Sequence, residues 1–158
     1  MFRKMRRFKQ QISDEKCIDL LKSEKRGVLS VIGENGYPYG IPLNHYYDDT
    51  DGKLYFHGAK EGHKLDAIIA CDKACYTVFD KGYRQEGEWA LNVKSVVVFG
   101  RMSLVTDKEK AKEICTALCR KFTEDEDYLE YELQHALPRV QCLALTPEHI
   151  TGKLVNES

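Results

Sequence analysis

Apolar positions along this chain recur with two periods, one near 3.6 and one of 2, and the places where one gives way to the other mark out the elements. Behind Ser13, which can cap a helix, with Asp14 and Glu15 in the first turn, Cys17, Leu20 and Leu21 share one helical face, so residues 13–24 are predicted as a short helix. Alternation takes over at residues 27–32 and resumes, after the turn Gly33-Glu34-Asn35-Gly36, over residues 37–47. Two alternating runs about an Asn-Gly turn predict a hairpin. Pro38 and Pro42 have no N–H to give a ladder. The second strand therefore belongs at a sheet edge or a bulge, or turns its backbone toward something other than a strand. An acidic turn, Asp48-Asp49-Thr50-Asp51-Gly52, leads into a third strand over residues 53–57.

Gly62 opens a helix carrying Leu65, Ile68 and Ile69, and residues 74–80 return to the strand pattern. Residues 81–92 are irregular and hold Trp89 and Tyr83, an aromatic pair suited to a wall over a ligand, a core plug or a subunit contact. Residues 95–106 form a long β-branched run interrupted by Gly100, where the strand is expected to bend. Asp107 caps a helix with Ala111, Ile114, Cys115, Leu118 and Phe122 on one face; a further helix is predicted over 129–136, a closing strand over 140–146 and a short one through Ile150. About six strands joined mostly by short turns, flanked by three or four helices, predict a mainly β fold: an antiparallel sheet curled into a barrel, not a parallel doubly wound sheet. One domain spanning residues 1–158 is expected, with residues 1–12 a basic arm that is either a loose tail or a reach toward a partner.

Charge and composition narrow the function. Twenty-four Lys and Arg against 25 Asp and Glu leave a net charge of −1, which argues against a nucleic-acid partner. The opening MFRKMRRFKQ has no apolar stretch behind its charges, and no run approaches the ~20 apolar residues of a bilayer span, so a cytoplasmic protein without a membrane partner is expected. Six cysteines include no C-x-x-C pair, and they are expected to be reduced structural thiols, with no metal site.

The chemistry concentrates in Phe56-His57-Gly58-Ala59-Lys60-Glu61-Gly62-His63-Lys64, which leaves a strand, passes two glycines and starts a helix. Free N–H groups, the positive end of the helix dipole and the cations Lys60, His63 and Lys64 converge there, an arrangement suited to a phosphate. A solvated, lysine-bearing loop is the plainer alternative. Nearby, Pro42, Leu43 and Asn44 interrupt ladder pairing and free backbone groups for the polar edge of a planar ring, with His57 and Ala59 sharing one strand face. An edge strand protected from aggregation by proline would look the same.

The segments Tyr37-Pro38-Tyr39-Gly40-Ile41-Pro42-Leu43-Asn44, Tyr55-Phe56-His57-Gly58-Ala59, Gly62-His63-Lys64 and Ser95-Val96-Val97-Val98-Phe99-Gly100-Arg101 resemble those of the 5-nitroimidazole-resistance proteins, within the pyridoxamine-phosphate-oxidase-like flavoproteins. Met5-Arg6-Arg7 and Ile150-Thr151-Gly152-Lys153 are similar to that family's two ends, so the resemblance spans nearly the whole chain. It implies a six-stranded antiparallel split β-barrel, homodimeric, with FMN at the subunit interface. By the same resemblance Pro42, Leu43 and Asn44 meet the flavin ring, His57, Gly58 and Ala59 run beside it, Lys60, Gly62, His63 and Lys64 hold the phosphate, and Ser95 helps line the pocket. Two positions depart from the pattern: Gly58 stands where relatives often carry Ser, and His45 where they often carry Tyr.

The function implied is an FMN-dependent oxidoreductase that takes electrons from NAD(P)H and reduces a small organic acceptor, a nitroaromatic by resemblance. His57 is the candidate catalytic residue, because imidazole can deliver a proton near neutral pH; a structural hydrogen-bonding role is the alternative. A non-catalytic flavin- or haem-binding module is the competing reading.

Overall fold

Ser13 does cap the first helix. In the computed structural model, which describes residues 1–157, its hydroxyl accepts the Lys16 N–H at 3.3 Å, and α1 runs Asp14–Ser23 with Cys17, Leu20 and Leu21 buried. The strands are β1 (Arg26–Ile32), β2 (Pro38–Asn44), β3 (Tyr46–Asp48), β4 (Lys53–Ala59), β5 (Lys73–Phe79), β6 (Leu91–Leu104) and β7 (Val140–Glu157). The further helices are α2 (His63–Ala70), α3 (Lys108–Arg120), capped by Asp107 as predicted, and α4 (Glu126–Ala136).

All seven strands form one antiparallel sheet in the order β2-β1-β5-β6-β7-β4-β3. The count is seven where about six were expected, and residues 37–47 are two strands and not one. β2 pairs with β1 at one end of the sheet and β3 pairs with β4 at the other, yet a single residue, His45, joins them. Consecutive Cα atoms are ~3.8 Å apart, so the two ends of the sheet are tied within ~8 Å of each other and the sheet must curl into a barrel. Beyond that corner β2 leaves its outer edge without a strand partner, which is where its two prolines are tolerated. The barrel is therefore split, closed at His45 and open alongside β2.

β6 begins at Leu91, four residues before the β-branched run, and its register shifts at Phe99/Gly100 as the glycine suggested. Glu148 is the extra residue on β7, since Phe99 faces His149 while Gly100 faces Pro147. A Cβ on Gly100 would run into the Thr146 carbonyl, so the close approach at this bulge requires glycine. The bulge also absorbs Pro147, and the two short closing strands expected from the sequence are one strand of 18 residues.

Inside the barrel, Leu29, Val31, Leu54, Phe56, Tyr76, Val78, Val96, Val98, Leu143 and Leu145 pack with α1 and with Leu65 and Ile68 of α2. Ile69, expected on the buried face, is exposed. A second cluster lies outside, where Ile114, Cys115 and Leu118 of α3 cover Tyr55, Cys142 and Ala144 of β4 and β7. The outer face of β1 and β5 has no such cover, and Phe79 is 62% exposed and Ile32 46% exposed there. Trp89, 77% exposed, is no core plug. The N-terminal arm is tethered: Phe2 stacks on His149 at 4.8 Å and on Phe99 at 5.6 Å, and the Ile12 N–H donates to the Gly152 carbonyl.

Candidate functional site

β4 has two kinds of edge. Along one, residues 54–59 pair with residues 140–145 of β7; along the other, only residues 53–55 pair with β3. Phe56, His57, Gly58 and Ala59 therefore present backbone toward the split, where β4 touches β2. Pro42, Leu43 and Asn44 end β2 on the opposite bank, and the start of α2 stands where β4 finishes. The structure thus gathers most of the residues singled out from the sequence around one crevice.

Gly62 precedes α2 at φ 119°, a left-handed value that favours glycine, and turns the chain from the loop into the helix. Its carbonyl accepts the N–H groups of Leu65 and Asp66. The N–H groups of His63 and Lys64 have no acceptor among the described residues and sit at the positive end of the helix dipole. Lys64 bends back so that its ammonium lies against Gly58, and any Cβ at position 58 would collide with Nζ. Glycine at this position thus makes room for a cation. Burial alone lowers the Lys64 pKa, because no carboxylate among the described residues pairs with it. A half-buried cation beside two free amides, with no paired anion among the described residues, is chemistry suited to a phosphate monoester.

The other candidates are placed less uniformly. The His63 imidazole stacks on Tyr39 at 4.2 Å, so this residue's main offering at the mouth is its N–H. Lys60 is exposed and lines a cavity of about 440 Å³ beside the crevice, between the start of α3 and the residues before β7. The Leu43 carbonyl is engaged, accepting the Tyr76 hydroxyl at 3.0 Å. Ser95 is not at the crevice: it pairs with Phe79 and Lys153 in the middle of the sheet. His57 is exposed on β4, and partial desolvation together with the Lys64 charge lowers its pKa.

His45 lies on the inner side. It is fully buried, with Nε2 2.6 Å from the Leu21 carbonyl and Nδ1 2.8 Å from the Tyr76 hydroxyl. A carbonyl only accepts, so Nε2 carries the proton of the neutral ring, and the single Tyr76 proton is shared between Nδ1 and the Leu43 carbonyl. Burial, reinforced by the Lys121 charge, pushes the His45 pKa down to about 4. Lys121 itself donates to the carbonyls of Glu24 at 2.6 Å and His45 at 2.8 Å, and burial holds its pKa down at about 8. Tyr39 and Lys121 escaped the sequence reading, for each acts through a partner remote in the chain.

Residues 13–154 match the profile of the pyridoxamine 5'-phosphate oxidase family. Among solved structures the chain is similar to a candidate 5-nitroimidazole antibiotic resistance protein from Bacteroides thetaiotaomicron, at 20% identity and a TM-score of 0.76, covering 92% of this chain and 87% of that one. It is also similar to an FAD-binding protein from Mesorhizobium loti, at 22% identity and a TM-score of 0.69, covering 92% and 97% of the two chains. A flavocytochrome from Azotobacter vinelandii matches at 18% identity and a TM-score of 0.77, over 96% of this chain and 72% of that one. No curated protein matches. These likenesses identify the fold, a split β-barrel with flanking helices.

Proposed function

Because the chain belongs to the pyridoxamine 5'-phosphate oxidase family, we propose that it is a flavin-dependent oxidoreductase that binds FMN in the split of the barrel, takes electrons from NAD(P)H and reduces a small organic acceptor of the nitroaromatic class. The observation that carries this reading is the unpaired Lys64 ammonium lying over Gly58 at the amide-lined start of α2. The likeness to the nitroimidazole-resistance protein supports the choice of acceptor, and the FAD-binding relative supports a flavin.

Bound flavin supplies the hydride and electron chemistry. This chain's own residues do the rest. Lys64 and the N–H groups of His63 and Lys64 hold the phosphate; the backbone of Pro42, Leu43 and Asn44 and that of His57, Gly58 and Ala59 flank the ring system from the two banks. Lys60 adds charge at the rim. His57 is the candidate proton donor to the reduced acceptor in its imidazolium form, which its lowered pKa makes the minority form near pH 7. The uncovered face of β1 and β5, with Phe79 and Ile32 exposed, supports a homodimer, in which a second copy would cover that face and bring Ser95 toward the partner's cofactor.

The test is a visible spectrum of the purified protein followed by anaerobic NADH or NADPH and then a 5-nitroimidazole. The expected outcome is oxidised-flavin absorbance that bleaches on adding the nicotinamide and returns with the acceptor; mass analysis of the ligand released by denaturation gives FMN. Flavin that no nicotinamide reduces would instead mark a binding module, haem absorbance a haem carrier, and a colourless protein that takes up no flavin would end the proposal.

A further inference from the structure

Six cysteines without metal-binding spacing read as inert structural thiols, but the fold brings two of them together. Cys115, in the middle of α3, and Cys142, near the start of β7, are 27 residues apart in sequence and their sulfurs are 3.7 Å apart. Both are buried, at 7% and 2% exposure. A disulfide needs sulfurs ~2.05 Å apart, so closure requires the two sulfurs to approach by a further ~1.7 Å. No other pair of cysteine sulfurs is in contact among the described residues.

Cys142 is also reachable. Cys142 lines the cavity of about 440 Å³ that Lys60, Val105, Ala111, Leu137 and Val140 help enclose, and a peroxide molecule is far smaller than that space. On its strand Cys142 stands directly across from His57. Its Sγ lies 3.7 Å from the Ala111 carbonyl, while Cys115 hydrogen-bonds to it from the helix. Cys142 lines that cavity and Cys115 does not, so Cys142 is the one of the two that peroxide meets first.

We propose that Cys115 and Cys142 are a peroxide-reactive dithiol that closes to an intrachain disulfide and pins α3 to β7 beside the crevice. The Cys142 thiolate attacks one oxygen of hydrogen peroxide, forming an S–O bond as the O–O bond breaks and water leaves. The Cys115 sulfur then attacks the sulfenic sulfur, an S–S bond replaces the S–O bond, and a second water departs with the remaining proton. Two thiols thereby lose two electrons and two protons, and one peroxide becomes two waters. A cellular dithiol reductant reverses the change by exchange. This inference stands apart from the flavin reading, because the oxidant is peroxide itself.

The experiment treats the full-length folded protein with hydrogen peroxide, blocks free thiols with N-ethylmaleimide under denaturing conditions, and maps peptides by mass with and without prior dithiothreitol. The expected result is a loss of two thiols from the six, and a linked Cys115–Cys142 peptide pair ~2 Da lighter than its two thiol peptides, restored by dithiothreitol. In the Cys115→Ser variant that linkage is absent and Cys142 is recovered as its oxygenated forms. The variant only removes one sulfur, and the wild-type map stands on its own if the variant does not fold. Linkage of Cys115 to Cys119, linkage between chains, or intact Cys115 and Cys142 at a dose that oxidises the half-exposed Cys71 and Cys75 would each overturn the proposal.

Discussion

The corner at His45 and the mouth at Gly58–Lys64 close the barrel in opposite ways. At the corner, each polar group meets a partner within the protein: His45 bonds Leu21 and Tyr76, and Lys121 caps the carbonyls of Glu24 and His45. At the mouth, an ammonium and two backbone N–H groups face the crevice with no protein acceptor among the described residues. A buried polar group left unpaired costs ~1–3 kcal/mol, so the first arrangement is what folding alone selects. The second is open to solvent, and it is there that an anionic ligand gains affinity. Two histidines on neighbouring parts of the barrel illustrate the same contrast, one sealed in the core and neutral, the other at an open strand edge.

The largest expected effect breaks the corner. His45→Ala removes both ring bonds, strands the Leu21 carbonyl and leaves a cavity, and urea unfolding should show a loss of about 3–4 kcal/mol. Acid should act on the same residue. His45 titrates at about 4 in the fold against 6.5 as its ordinary value, so between those values the unfolded chain binds the extra proton and stability rises with pH. Acidification from pH 7 to 4 should therefore cost about 3 kcal/mol through His45, and His45→Gln should flatten that slope. Below the ordinary carboxylate value of 3.8, Asp48 adds a second loss, since its bonds from Lys110 and Thr50 hold it at about 2. The smallest effect sharpens the contrast from the other side. Gly58→Ser displaces only the flexible end of Lys64, so stability should change by less than about 0.5 kcal/mol while FMN affinity falls a fewfold, read by flavin fluorescence quenching.

Legibility in the sequence followed the range of the interaction. Helix caps at Ser13 and Asp107, the hairpin turn and the Gly100 bend are local chemistry, and each is where the pattern placed it. The break at His45 was hidden because both of its ring partners lie at least 24 residues away and alternation runs straight through it. Leu91 to Lys94 joined β6 because β7 extends far enough to pair with them, which their own composition does not reveal. Of the site, the glycines and cations at β4 and α2 could be read directly. The stacking of His63 on Tyr39, the fit of Lys64 over Gly58 and the meeting of Cys115 with Cys142 depend on the barrel closing.

The central claim is that Lys64 and the start of α2 capture a phosphate, and binding of FMN compared with riboflavin in wild type and Lys64→Ala tests it most directly. The two ligands differ only in that group. The account predicts that wild type prefers FMN by at least about tenfold, at ~1.4 kcal/mol per factor of ten, and that the variant loses most of the preference while its affinity for riboflavin barely moves. Equal binding of the two flavins by wild type, or the same preference in both proteins, would contradict it.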